Sequence, residues 1–219
     1  MKNISKEDYL GIIYKHKNSS GEIKANLIAE KLQISNAAVT DMIKKLSRDG
    51  HIIYEKYKGI RLTKPGEDYA RNIIRRHRIW EVFLNQVVGM PWDKVHDEAN
   101  RLEHSASDEL INRLEEMLKY PEYDPHGDPI PSKEGKIPVL KKHIALSELE
   151  AGQAGNVIRV NDFDEEFLVY ISKIGIKLGE FIQVKEKRTF DKSMLLVVNK
   201  ESANISEKIA ENIFVELKK

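Results

Sequence analysis

The chain has 219 residues, 41% hydrophobic and 32% charged, with 36 Lys+Arg against 35 Asp+Glu. That length allows one to three small domains with folded cores; no apolar run reaches the roughly 18 residues of a membrane helix, and the start, Met1-Lys-Asn-Ile-Ser5, has no secretory apolar region. Without cysteine there is no disulfide framework, thiolate metal site or cysteine nucleophile, so a soluble cytoplasmic protein is expected.

The net charge of +1 conceals an asymmetry. Residues 1–72 carry 14 basic and 9 acidic side chains, whereas 73–142 and 143–219 each carry 11 and 13. A basic first third suggests that this part meets a polyanion. Within it, Ser5-Lys-Glu-Asp8 opens a helix as a capping box, and Tyr9, Ile12 and Ile13 keep helical spacing. Ser19-Ser20-Gly21 is a break, and residues 23–32 read as a short amphipathic helix. Gln33-Ile34-Ser35 is a turn with Ser35 as N-cap. A third helix spans 36–48, with Val39, Ile43 and Leu46 facing inward, and Asp49-Gly50 ends it. Residues 52–56 and 60–63 read as strands joined through Tyr57-Lys58-Gly59.

Helix, turn, helix and β-ribbon is the order of a winged helix-turn-helix, whose second helix enters the DNA major groove. The residues placed to reach base edges are Ser35, Asn36, Ala37, Thr40 and Asp41. Lys44, Lys45 and Arg48 fall near phosphates, and the wing offers Lys56, Lys58 and Arg61 for contacts that position rather than specify.

Residues 73–142 read as three helices, at 76–88, 92–106 and 108–118, followed by a proline-rich extended connection over 120–136. Ile79, Phe83, Leu84, Leu110 and Leu114 exceed what one thin layer needs, which suggests a helical dimer interface. The chemistry is here too. His77 and Glu81 share a helical face at i, i+4. His96, Asn100, Glu103 and His104 fall at roughly 0°, 40°, −20° and 80° around a helix of about 100° per residue. Asp124 and His126 add a carboxylate and an imidazole in the loop. Imidazole and carboxylate without sulfur suit a first-row divalent ion such as Mn(II), Fe(II), Co(II) or Zn(II). Asp8 reads either as part of the capping box or as a ligand joining the first segment to the second. Residues 143–219 alternate short strands with Gly turns and two short helices (strands at 156–160, 181–187, 194–199 and 213–217), which suggests a small barrel.

Several stretches together resemble the diphtheria-toxin-repressor family of metal-dependent transcriptional regulators. They are Val39-Thr-Asp-Met-Ile-Lys-Lys-Leu46, Leu62-Thr-Lys-Pro-Gly66, Arg76-His77 with Glu81, His96-Asp-Glu-Ala99, Glu103-His104 and Pro125-His-Gly-Asp-Pro-Ile-Pro131. The resemblance covers essentially the whole chain and implies an α+β fold of three domains. These are a winged helix-turn-helix (1–72), an all-α dimerisation and metal-binding domain (73–142) and a small SH3-like, FeoA-type β-barrel (143–219). It further implies a primary metal site of Asp8, Asn100, Glu103 and His104. A second site would draw on His77, Glu81 and His96, or on the loop pair Asp124 and His126, with Asp162 from the third domain. Members of the family differ in how that second site is completed, and this chain keeps parts of both versions. Asn100 stands where the iron branch has Cys and the short manganese regulators have Glu. Asp8 stands where the manganese branch has Asp, and Gly11 where the short manganese regulators place a second acidic residue.

The implied function is a non-enzymatic repressor, a homodimer that binds a palindromic operator in double-stranded DNA when Mn(II) or Fe(II) is present and controls metal uptake. Co, Ni or Zn would substitute in vitro. The competing readings are a winged-helix regulator with an organic effector, a constitutive DNA binder with a structural metal site, and a metalloenzyme.

Overall fold

A computed structural model describes residues 5–55, 58–162 and 164–218. The chain forms two compact units, residues 1–77 with 131–136, and residues 78–130 with 137–219.

In the first unit, α1 (Lys6–His16) opens on the capping box expected from sequence: Ser5 accepts from the Glu7 and Asp8 amides, and Asp8 accepts from the Ser5 amide. The next element departs from expectation. Glu22–Ile23 is a strand, β1, not the start of a helix; α2 begins at Ala25 and runs to Leu32. The Asn18 side chain accepts from the Ser20 and Glu22 amides, and Gly21 takes φ 78°. Together they turn the chain so that Ile23 lies opposite Ile60 in the wing. Gln33, left-handed at φ 56°, ends α2, and Ser35 caps α3 (Asn36–Arg48) through the Ala38 amide. The wing is β2 (Ile52–Glu55) and β3 (Gly59–Leu62), in the sheet order β1-β3-β2. Lys56 and Tyr57, expected in its turn, lie outside the described residues. Leu10, Ile13, Ile28, Val39, Leu46 and Ile60 form the core, with Val39 and Leu46 supplied by the expected inner face of α3.

The long helix α4 runs from Lys64 to Gln86, twelve residues earlier than the expected start at 76. Pro65 lies in its first turn, where a missing N–H costs nothing, and Thr63 Oγ1 accepts from the Gly66 amide. Gly66 is seated against the end of α3, where an added Cβ would lie 1.9 Å from the His51 carbonyl oxygen.

In the second unit, α5 (Val95–Leu102) and α6 (Asp108–Met117, capped by Ser107) pack on the end of α4 through Ile79, Val82, Leu84, Val95, Ala99 and Ile111. The α5 helix is shorter than the expected 92–106. Three of the residues expected at a partner interface, Ile79, Leu84 and Leu114, are buried within the chain itself. The apolar side chains left exposed here are Val87, Val88, Leu110, Met117 and Tyr120.

The rest of this unit is an antiparallel sheet in the order β4-β9-β5-β6-β7-β8. Its strands are β4 (Ile144–Ala145), β5 (Ala154–Val160), β6 (Phe181–Lys187), β7 (Met194–Val198), β8 (Glu201–Ile205) and β9 (Ile213–Leu217). Helices α7 (Glu165–Lys173) and α8 (Glu207–Ala210) accompany it. β4 and β8 were not expected. Asn199 and Lys200, both at positive φ, make the tight turn that a twisted hairpin requires, and β8 then continues as a mostly exposed polar strand. β4 and β8 are the two edges, so the sheet is open where a closed barrel was expected.

Gly66→Ala is expected to lower stability by about 2 kcal/mol, because the methyl group meets backbone that cannot yield. A chemical denaturation midpoint equal to that of the parent would contradict this.

Candidate DNA-binding face and metal centre

The residues expected at DNA share one solvent-facing surface. Ser35, Asn36, Ala37, Thr40, Asp41, Lys44, Lys45 and Arg48 are all exposed on or beside α3. A groove between α3 and β2 is lined by Asp41, Lys44, Ser47, Arg48 and Tyr54. Two features qualify the sequence reading. Thr40 Oγ1 donates to the Asn36 carbonyl, so its hydroxyl is committed to the helix. Lys58 and Arg61 both pair with Glu55, at 2.6 and 2.8 Å, and together hold that carboxyl below its usual range.

The second unit gathers ligand-type side chains around Glu81, which is 0% exposed on α4. His96 Nδ1, from α5, lies 3.1 Å from Glu81 Oε1 and 3.3 Å from Asp162 Oδ2. On the other side stand Asp124 and His126 of the loop. Glu81, Asp124 and His126 offer ligand atoms within 4.8 Å of one another, as do Glu81, His96 and Asp162. The two versions of the second site expected from sequence therefore meet at one carboxylate. His77, also buried, lies one turn before Glu81 on α4.

The loop is shaped to present its ligands. Asp124 Oδ1 accepts from the amides of His126 and Asp128, at 2.8 and 2.9 Å, and the Asp124 amide donates to the Asp128 carbonyl. His126 Nε2 lies 2.8 Å from the Trp92 carbonyl oxygen. A carbonyl only accepts, so Nε2 carries a proton, and Nδ1 lies 3.9 Å from Glu81 Oε2. The Trp92 ring stacks on the imidazole, and its Nε1 donates to Ser172 on α7. None of this is visible in sequence spacing. The turn-forming Asp124-Pro-His-Gly-Asp128 run is the one signal that could have pointed to it.

The cluster suits a cation. His126 Nδ1 and Asp124 Oδ2 are buried and make no hydrogen bond to any described residue, their nearest charged neighbours being Glu81 Oε2 at 3.9 Å and Arg78 Nε at 3.3 Å. Burial, and then the neighbouring Glu81 carboxylate, push the Asp124 carboxyl up to about 7, against the pull of Arg78. The donors are oxygen and imidazole nitrogen, which match Mn(II) and Fe(II) and accept Co(II), Ni(II) or Zn(II).

The other expected ligands are placed as follows. Asp8 is in the first turn of α1, its Oδ2 2.7 Å from the Ser5 amide. Asn100 is exposed on α5. Glu103 is buried at the end of that helix, and the more exposed His104 has Nε2 3.4 Å from Glu103 Oε1.

An exposed helix-turn-helix with a wing, in one chain with a buried sulfur-free carboxylate and imidazole cluster, defines a DNA-binding protein equipped to hold a divalent cation. Comparison with known proteins gives the family. Three family models match in succession. They are the iron dependent repressor N-terminal DNA binding domain at 3–60, the iron dependent repressor metal binding and dimerisation domain at 63–132, and the FeoA domain at 144–217. The diphtheria toxin repressor of Corynebacterium jeikeium (strain K411) is 31% identical over 185 residues, covering 83% of this chain and 76% of that one. The HTH-type transcriptional regulator MntR of Bacillus subtilis (strain 168) is 34% identical over 120 residues, 55% of this chain and 84% of that one. A solved manganese-dependent transcriptional repressor in complex with manganese is 32% identical, with a TM-score of 0.89 over 98% of this chain and all of that one. The chain belongs to the diphtheria toxin repressor family of metal-dependent regulators, in the form that carries a C-terminal FeoA domain. Among the described residues, no helix is long and apolar enough to cross a membrane.

Saturating Mn(II) should raise the melting temperature of chelator-treated protein, since a ligand at a hundred times its Kd adds about 2.7 kcal/mol. Glu81→Gln should reduce that rise, because the two groups of ligand-type atoms around it share this carboxylate. An undiminished rise would remove Glu81 from the ligand set.

Proposed function

We propose that the chain is a homodimeric, metal-dependent transcriptional repressor, activated by Mn(II) or Fe(II), that controls genes of metal uptake and homeostasis. The observation that carries this reading is the buried cluster around Glu81 in a chain that also presents an exposed recognition helix. The reading makes it a regulator rather than an enzyme, acting in the cytoplasm on double-stranded operator DNA.

The roles of individual residues follow from the family resemblance and from what each side chain can do. Asp8, Asn100, Glu103 and His104 form the primary, activating site. The capping box supports the part given to Asp8, since a carboxylate held by the Ser5 amide keeps one orientation on the first helix. His77, Glu81, His96, Asp124, His126 and Asp162 supply the second site, with Glu81 common to its two halves. A bound divalent ion supplies the positive charge that offsets these carboxylates and orders their donors. Ser35, Asn36, Ala37, Thr40 and Asp41 face base edges. Lys44, Lys45, Arg48, Lys58 and Arg61 meet phosphates, the last two after exchanging Glu55 for the DNA backbone. The exposed Val87, Val88, Leu110, Met117 and Tyr120 are the apolar surface for the second copy, and the two-fold symmetry of the pair matches a palindromic operator.

At fixed salt, Mn(II) or Fe(II) should tighten binding to a family-type palindromic operator by at least about fivefold over chelator-treated protein, as a coupling of 1–3 kcal/mol implies. Asp8→Ala should abolish that gain; tight metal-responsive binding by this variant would remove Asp8 from the activating site. Arg48→Ala should weaken binding to all sequences alike and reduce the slope of affinity against salt by about one phosphate contact. An unchanged slope would place Arg48 off the backbone.

A further inference from the structure

Arg78, Asp128 and Arg159 stand beside the cluster without a ligand role. Asp128 lies between the two arginines, with Oδ2 2.8 Å from Arg78 Nη2 and Oδ1 3.1 Å from Arg159 Nη1. Arg78, on α4, also donates to the Pro129 carbonyl, and its Nε is 3.3 Å from Asp124 Oδ2. Arg159 comes from β5, and its guanidinium lies over the Phe214 ring of β9 at 3.8 Å. Two further contacts seat the loop on the same strand. The Val160 amide donates to the His126 carbonyl at 2.9 Å. Gly127, at φ 89°, passes so close that a Cβ would lie 2.1 Å from the Ile158 carbonyl oxygen. His126 and Asp124 are therefore held from the C-terminal sheet as well as from the helices.

We propose that Asp128 is a positioning residue for the cation cluster, acting in two ways. Through Arg159 it ties the 124–128 loop to β5, which fixes where Asp124 and His126 point. Through Arg78 it keeps a guanidinium occupied that would otherwise pair fully with Asp124 and compete with a cation for that carboxylate. Without the Asp128 charge, two guanidinium groups stand beside a site that must accept positive charge, in surroundings that screen poorly. The proposal rests on the metal-binding reading above and adds that the C-terminal sheet sets the affinity of the second site.

Calorimetric titration of full-length, chelator-stripped protein with Mn(II), and separately with Co(II), tests this. The parent should show two classes of site, one removed by Glu81→Gln and the other by Asp8→Ala. Asp128→Asn should weaken the first class by about tenfold or more, as loss of a group that orients ligands does, and leave the second within twofold. Arg159→Met should give the same split, and Arg159→Lys should restore most of the affinity. The double variant Asp128→Asn/Arg159→Met should be no weaker than Asp128→Asn alone, because that substitution already cuts the bond to Arg159. Cooperative melting of each metal-free variant establishes that it folds, and the two Arg159 variants decide the matter if Asp128→Asn does not. Equal weakening of both classes, no weakening, or additive losses in the double variant would overturn the proposal. A parent protein that takes up neither ion would instead overturn the metal-binding reading beneath it.

Discussion

A carboxylate with no exposed surface governs the second unit. Glu81 is buried on α4, and a buried charge must be paired, protonated or compensated by a cation. Two imidazoles face it: His96 of α5 at 3.1 Å and His126 of the loop at 3.9 Å. Yet Asp124, Asp128 and Asp162 bring more negative charge into the same space. Arg78 and Arg159 both pair with Asp128, and Arg78 also faces Asp124. Burial first, and then the Glu81 carboxylate, push the Asp124 carboxyl up to about 7. Hydrogen bonds from backbone amides to Asp124 Oδ1 shape the loop, and its ligand-type atoms face Glu81.

That requirement explains why the helical segment and the C-terminal sheet fall in one compact unit. The sheet supplies Arg159, the Val160 amide that donates to the His126 carbonyl, and a strand against which only glycine fits at 127. The stacking of Trp92 on His126 and its hydrogen bond to Ser172 make a further tie to α7. The cluster of carboxylates and imidazoles is thus built from α4, α5, a loop and a strand.

Much of this was legible in the residues. Ser5, Asp8 and Ser35 announced their caps because capping is a local matter of three or four residues. The face of α3 followed from its 3.6-residue period. The cluster members were recognisable as a set, since several imidazoles and carboxylates without sulfur suit a first-row divalent ion, although any one of them alone reads as an ordinary ion pair. What escaped was set by long-range pairing. Glu22–Ile23 becomes a strand only because β3 lies beside it, and β8 is a strand because β7 templates an otherwise polar sequence. Ile79, Leu84 and Leu114 looked surplus because the sequence does not show how much of α4 is wrapped by α5 and α6. Arg78, Asp128 and Arg159 were invisible for the same reason: a charge in the sequence carries no sign of which other charge it will meet.

The open sheet has a bearing on how this protein behaves when crowded. Its two edges, β4 and β8, expose backbone groups that could accept a strand from another molecule. β4 is two residues long, too short to template an extended pairing. β8 is longer, but Glu201, Ser202 and Asn204 are solvent-exposed along it, so a strand approaching that edge would have to strip water from a charged and polar surface. The edges are thereby protected against the open-ended stacking that leads to fibres, and this protection comes from composition and brevity instead of from closing the sheet on itself.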